Sequence, residues 1–155
     1  MKKIIMTPFL FFCFTLLAAD KEYPCVYDNG ITYFLTYKDA FHKALVSGEK
    51  INCDRARSEE FSKSVVHDPK RCPGDYVTKF KAMNVSSSDK CAGLKNNVID
   101  TRGSAYITTL MGLSQAAITS GIKPDVNEIC DETEKYLNSM VSDVRSVAAE
   151  ARCKK

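Results

Sequence analysis

Apolar residues recur at the helical period over the C-terminal end of the chain, at Val126, Ile129, Thr133, Leu137, Met140, Val144, Val147 and Ala151, with Thr133 the polar member. A stripe sustained this long predicts one amphipathic helix from near Asp125 to near Ala151, with Pro124 at a first-turn position. A second stripe precedes it: Cys91, Leu94, Val98, Tyr106, Leu110, Leu113 and Ala117. Ser86-Ser87-Ser88-Asp89 offers several N-caps for that helix, and Ser120-Gly121 ends it. Gly103 lies inside it and weakens it by about 1 kcal/mol relative to alanine, so a kink or break is expected near Arg102-Gly103.

The pattern is less regular upstream. Residues 20–32 hold Pro24 and the turn signal Asp28-Asn29-Gly30. Ile31 to Leu35 is an apolar run too short to tell strand from helix. Thr36 is placed to cap a helix with Asp39 in its acidic first turn. Tyr37, Phe41, Ala44 and Leu45 share one face of it, and Gly48 stops it. From Asp54 to Val66, Ala56, Phe61 and Val65 stand among charges, and Pro69 ends that helix at His67-Asp68. Cys72-Pro73-Gly74 is a turn, and Tyr76, Phe80 and Met83 mark a short helix. The class is all-α: a small disulfide-stapled helical domain ending in a long antiparallel helical hairpin.

The cysteines turn that pattern into geometry. Six follow residue 19: Cys25, Cys53, Cys72, Cys91, Cys130 and Cys153. Cys130 and Cys153 sit at opposite ends of the last helix, roughly 34 Å apart at ~1.5 Å of rise per residue, whereas a disulfide tolerates Cα atoms at most about 7 Å apart. They cannot pair. Cys91 and Cys153 each stand 31 residues from Ile122, the centre of the turn. Residues equidistant from the turn of an antiparallel hairpin lie opposite one another, so these two are expected to meet at its open end. A sharp break at Gly103 would instead hand Cys153 to Cys53 or Cys72. Cys130 needs Cys25, Cys53 or Cys72, which brings the N-terminal part against the closed end.

An even number of cysteines is a disulfide framework only in an oxidising compartment, and the N-terminus supplies the export signal. Lys2 and Lys3 precede an apolar run from Ile4 to Leu17, then Ala18, Ala19 and the charged Asp20. This predicts a secretory signal over residues 1–19 and one domain over 20–155; the run is shorter than the about 20 residues of a membrane span. Cys13 lies inside the signal. Without it the net charge of +3 falls to +1, because two lysines leave and no acid does. That weak field gives no footing for nucleic acid or anionic lipid. The compartment is a periplasm or the exterior of a cell.

Catalytic and metal chemistry find little support. No CxxC occurs, and the two histidines, His42 and His67, stand apart from any cysteine pair, so neither a metal site nor a cofactor is expected. Asp39 precedes His42 by one helical turn, yet no GxSxG supplies a nucleophile; an exposed helix pair accounts for it. His67 suits a helix C-terminus. Glu59, Glu60, Asp131, Glu132 and Glu134 read as solvated helix faces, and the glycines have no phosphate-loop spacing. Asn84-Val85-Ser86 is an N-glycosylation acceptor if the source is eukaryotic. The aromatic residues Tyr33, Phe34, Tyr37 and Phe41, with Tyr76 and Phe80, are the candidate binding residues, for an apolar ligand or a protein partner. Core packing is the simpler account, since a chain without tryptophan needs its Phe and Tyr inside.

The tail Ile129-Cys130 … Lys135-Tyr136-Leu137 … Val144-Arg145 … Ala148 … Cys153-Lys154, preceded by Ala105-Tyr106-Ile107 … Gly112-Leu113, resembles the periplasmic immunity proteins of type VI secretion amidase effectors. The likeness covers about a third of the chain. It implies a small, exported, helical, disulfide-bonded protein that plugs a toxin's active site, and it assigns no toxin-contacting residue. Insect-type odorant carriers also place six cysteines in a helical domain, but their closely spaced CxxxC is absent. The expectation is an exported, non-enzymatic binding protein that engages a protein partner as an inhibitor or immunity protein. A carrier of a small apolar ligand and a small secreted hydrolase are the alternatives.

Overall fold

The structure, a computed structural model, describes residues 26–65 and 81–153. The leader, Cys25, Cys72, His67, Tyr76, Phe80 and the turn at Cys72-Pro73-Gly74 lie outside the described residues. Five α-helices and no strand occur among those described: α1 (Val26–Leu35), α2 (Lys38–Ser47), α3 (Arg55–Ser64), α4 (Ala92–Thr119) and α5 (Val126–Glu150), with a 3-10 turn at Lys81–Met83.

The hairpin of α4 and α5 is the frame. Ile99, Gly103, Tyr106, Ile107, Leu110, Ser114 and Ala117 are buried on α4, and Ile129, Thr133, Leu137, Met140, Val141 and Val144 on α5. Each set recurs at three- and four-residue spacing, so both helices turn one stripe inward. Cross-helix pairs fix the register. Thr109 Oγ1 lies 2.9 Å from Tyr136 Oη, Arg102 Nη2 lies 2.8 Å from Asp143 Oδ2, and a disulfide joins Cys91 to Cys153 with Cα atoms 5.9 Å apart. All three pairs are centred within one residue of Ile122. The expected mouth bridge is therefore present, and α4 runs through Gly103 without the expected break: its stripe continues on both sides and the glycine is buried within it. Burial along the stripe outweighs the propensity cost of one glycine.

Backbone chemistry sets the ends. Gly121 takes a left-handed conformation, φ 70°, while Ile122 N–H reaches Ala117 O and Gly121 N–H reaches Ile118 O, which satisfies the last carbonyls of α4. Asp125 then caps α5, its carboxylate accepting from Asn127 and Glu128 N–H; Pro124 precedes the cap rather than occupying the first turn. At the far end Arg152 adopts φ 52° and Cys153 N–H bonds back to Ala148 O, turning the cysteine toward its partner. Cys91 is itself the left-handed N-cap of α4, φ 61°, with no side-chain cap. None of Ser86, Ser87, Ser88 or Asp89 caps this helix.

The N-terminal helices pack across the hairpin. Asp28-Asn29-Gly30 lies inside α1, not in a turn, and Ile31 to Leu35 completes the same helix. Tertiary burial overrides the local turn signal here: Ile31, Phe34 and Tyr37 recur every three residues and are all buried. Gly30 rests on α4, where an added Cβ would meet Ile107 at 3.8 Å. Thr36 does not cap α2; its hydroxyl donates to Tyr33 O at 2.6 Å and closes α1. Gly48 ends α2 in the left-handed region, φ 75°, as expected. Asp54 caps α3, which ends at Ser64 with Val65 as its C-cap, two residues short of the expected Val66. Its inner face is Ser58, Phe61 and Ser62, while Ala56 is exposed.

Cys53 is the partner of Cys130, with Cα atoms 5.3 Å apart. The two bridges are consistent with an oxidising environment. No helix among the described residues is long and apolar enough to cross a membrane.

Candidate functional site

Tyr33, Phe34, Tyr37 and Phe41 are all in the core, none more than 4% exposed. Tyr33 stacks on Phe61 with ring centroids 4.9 Å apart, and Phe34 meets Tyr106 edge-on at 5.3 Å. The hydroxyls of Tyr33 and Tyr37 form a closed network with those of Ser58, Thr133 and Tyr106, Tyr33 Oη lying 3.1 Å from Thr133 Oγ1. Tyr33 Oη lies 2.6 Å from Ser58 Oγ and 3.3 Å from Tyr37 Oη, and Tyr37 Oη accepts from Asp54 N–H at 3.0 Å. Tyr106 Oη lies 2.7 Å from Thr133 Oγ1.

Each hydroxyl carries one proton, and all five can be placed. Tyr106 donates to Thr133, which donates to Ile129 O at 2.6 Å. Tyr37 donates to Tyr33, Tyr33 to Ser58, and Ser58 to Asp54 O at 3.1 Å. The second chain thus begins and ends on the backbone of Asp54, beside the Cys53–Cys130 bridge. Ser58 Oγ also lies 3.1 Å from the sulfur of Cys53 and 3.2 Å from that of Cys130. Burial pushes the Tyr37 phenol well above the usual tyrosine range, and burial does the same to Tyr106. Both stay neutral donors. This cluster ties α1, α3 and the hairpin together and leaves no unused donor for a ligand.

Asparagine and glutamate side chains pin the loops. Asn138 Oδ1 accepts from Ile51 N–H and its Nδ2 donates to Ile51 O, both at 2.8 Å. One turn earlier, Glu134 accepts from Cys53 N–H at 2.9 Å. Asn96 holds Val85 in the same two-pronged way, at 2.8 and 3.3 Å. The segments beside α2 and before α4 are therefore fixed by backbone capture. Asn84, next to the second of them, is half-buried and its Oδ1 is sealed without a hydrogen-bond partner among the described residues.

A groove of about 510 Å³ opens between α2, that pinned 85–89 loop, the start of α4 and the end of α5. Leu45, Val46, Val85, Val144 and Ala148 give it apolar walls, and His42, Lys95 and Arg145 give it nitrogen donors. Val46 stands 77% exposed at its edge. Lys95 pairs with Asp89. Arg145 has no carboxylate within ion-pair distance among the described residues. Its Nη1 reaches Leu45 O at 3.4 Å and Val46 O at 3.5 Å, where a cation suits the C-terminus of α2. Gly48 admits it: an added Cβ there would lie 2.9 Å from Nη1.

His42 is half-buried, with its ring 5.8 Å from that of Phe41. Burial lowers its pKa first and the charge of Lys38 lowers it further, against a smaller opposing effect of Asp39. No hydrogen bond joins His42 to Asp39. The carboxylates behave as ion-pair partners on helix surfaces: Glu59 faces Arg55 and Glu132 faces Lys135.

Sequence reasoning missed Arg145, Lys95 and Val46. One signal was legible: Val46 falls off the stripe of Tyr37, Phe41, Ala44 and Leu45, an apolar residue on the polar side of α2. Compared with family models, curated proteins and solved structures, the chain matches none of them.

Proposed function

We propose that this is an exported, non-enzymatic protein that binds a protein partner and acts as an inhibitor or immunity protein. The observation that carries the reading is the contrast in hydrogen-bond satisfaction. The buried hydroxyl cluster uses all its donors internally, whereas the surface groove combines apolar walls, an exposed valine and an arginine without a carboxylate. A rigid surface of that composition suits protein recognition, where apolar and arginine anchors dominate. Export rests on the basic and apolar leader and on the disulfides. The immunity-like role rests on the resemblance of the hairpin tail. Two features weigh toward binding over catalysis: His42 has no hydrogen-bonded acid or nucleophile among the described residues, and the buried phenols stay neutral.

The test is co-expression, in an oxidising compartment, with the protein encoded by the adjacent gene. The expected result is a one-to-one complex in which that protein's activity is lost in proportion to the chain added. The double variant His42→Gln/His67→Gln should still inhibit, because glutamine keeps a hydrogen-bonding group at the groove wall but supplies no general base. Absence of a complex, or a folded double variant that has lost its effect, overturns the reading.

A further inference from the structure

We propose that the groove between α2 and α5 captures an acidic side chain flanked by apolar residues on the partner protein, with Arg145 as the receiving group. The inference rests on the protein-binding reading above and gives the partner its chemistry.

A guanidinium has five N–H donors in a planar fork. Arg145 directs Nη1 at the carbonyls of Leu45 and Val46, and its Nε and Nη2 donors have no partner among the described residues. A carboxylate is the acceptor that matches such a fork, through charge-assisted and bidentate bonds. The charges around it point the same way. Asp89, the acid in the groove lining, is committed to Lys95, so Arg145 is left as the uncompensated charge. His42, depressed by burial, adds a neutral ring nitrogen at neutral pH.

The apolar walls define what flanks the acid. Val46 and Leu45 on one side, with Val85, Val144 and Ala148 on the other, offer burial to aliphatic neighbours of the carboxylate. Asn96 holds Val85 by both backbone groups and the hairpin register fixes Arg145, so little ordering is needed on binding. The open shape and the exposed edge at Val46 suit an extended segment of another protein.

The experiment is an amide chemical-shift titration of the full mature protein with three probes: acetyl-Leu-Glu-Leu-amide, its glutamine counterpart, and hexanoate. The glutamate peptide should shift the amides of Val46, Ser88, Lys95 and Arg145 saturably and bind about fivefold tighter than the glutamine peptide, as one partly exposed charge-assisted pair allows. Arg145→Gln, with an unchanged melting temperature, should remove that preference. Arg145→Lys should restore only part of it, since an ammonium lacks the fork. Equal affinity for the two peptides, shifts away from the groove, or a preference that survives in Arg145→Gln overturns the proposal. So does hexanoate binding as tightly as the glutamate peptide, which marks a small-carboxylate site, or self-association of the protein through these residues. Any of these failures leaves the protein-binding reading standing if the partner complex forms; loss of the complex itself removes both.

Discussion

Two regions of this molecule set polar groups among apolar ones. Around Tyr33, five hydroxyls sit between α1, α3 and the hairpin, and every proton has an acceptor. Between α2 and the end of α5, a few cationic and imidazole groups line an open groove, and Arg145 keeps donors to spare. The first region is the more conspicuous in sequence, because aromatic residues cluster there. The second is built from residues scattered over a hundred positions. An unpaired hydroxyl in a core costs about 1–3 kcal/mol, so five of them together could be buried among the aromatic rings only as a closed network. Spare donors survive where water can still reach them, and there they remain available to a partner.

The largest expected effect falls on the frame that both regions share. Replacing Cys91 and Cys153 with serine opens a loop spanning 62 positions and should cost about 4 kcal/mol in the chain-entropy model, read as a lowered midpoint in denaturant. Because the bridge lies at the hairpin mouth, amide exchange should rise first near Lys95 and Arg145, at the groove, and later at Thr133. An unchanged midpoint would show that packing alone holds the register.

Second comes the closed network. Thr133→Val removes the acceptor of Tyr106 and the donor to Ile129 O while keeping the volume, and should destabilise by about 1–3 kcal/mol through stranded hydroxyls. The contrast lies in the groove, where Val46→Ser should stay within about 0.5 kcal/mol. Equal costs at Thr133 and Val46 would erase the distinction between the two regions.

The hairpin was legible because its signals agree. A sustained stripe and two cysteines equidistant from the turn specify one geometry, and Cys91–Cys153 follows. Cys53 as the partner of Cys130 was not legible, since three cysteines satisfied the same length argument and only tertiary packing chooses among them. Local signals misled in two places: Asn29-Gly30 is helical because α1 packs on α4 through Gly30 and Phe34, and Ser86 bonds Ser88 rather than capping α4 because Cys91 begins the helix. The groove was invisible for a different reason. His42, Val46, Lys95 and Arg145 converge only through the crossing of three helices and a loop, and no spacing rule connects them.

The smallest effect is on pH dependence. His42 has a folded pKa below its ordinary value of about 6.5, because burial and Lys38 disfavour its charged form. Above that ordinary value both states are neutral there and it contributes nothing. As the pH falls below it, the unfolded chain takes up the proton first, so stability declines toward the lower folded pKa. His42→Gln should remove that part of the slope in a series of melts between pH 7 and pH 5. A slope that persists unchanged would place its origin outside the groove.

The central claim is that the interior is closed and recognition happens on the surface. Titration with a neutral apolar fluorophore, N-phenyl-1-naphthylamine, tests it most directly, because such a probe has no charge to offer Arg145 and reports only an apolar cavity. The account predicts no saturable binding to the purified protein, with or without added fatty acid. One-to-one binding that fatty acids displace would contradict it: the aromatic cluster would then open to a ligand, and the protein would be a carrier.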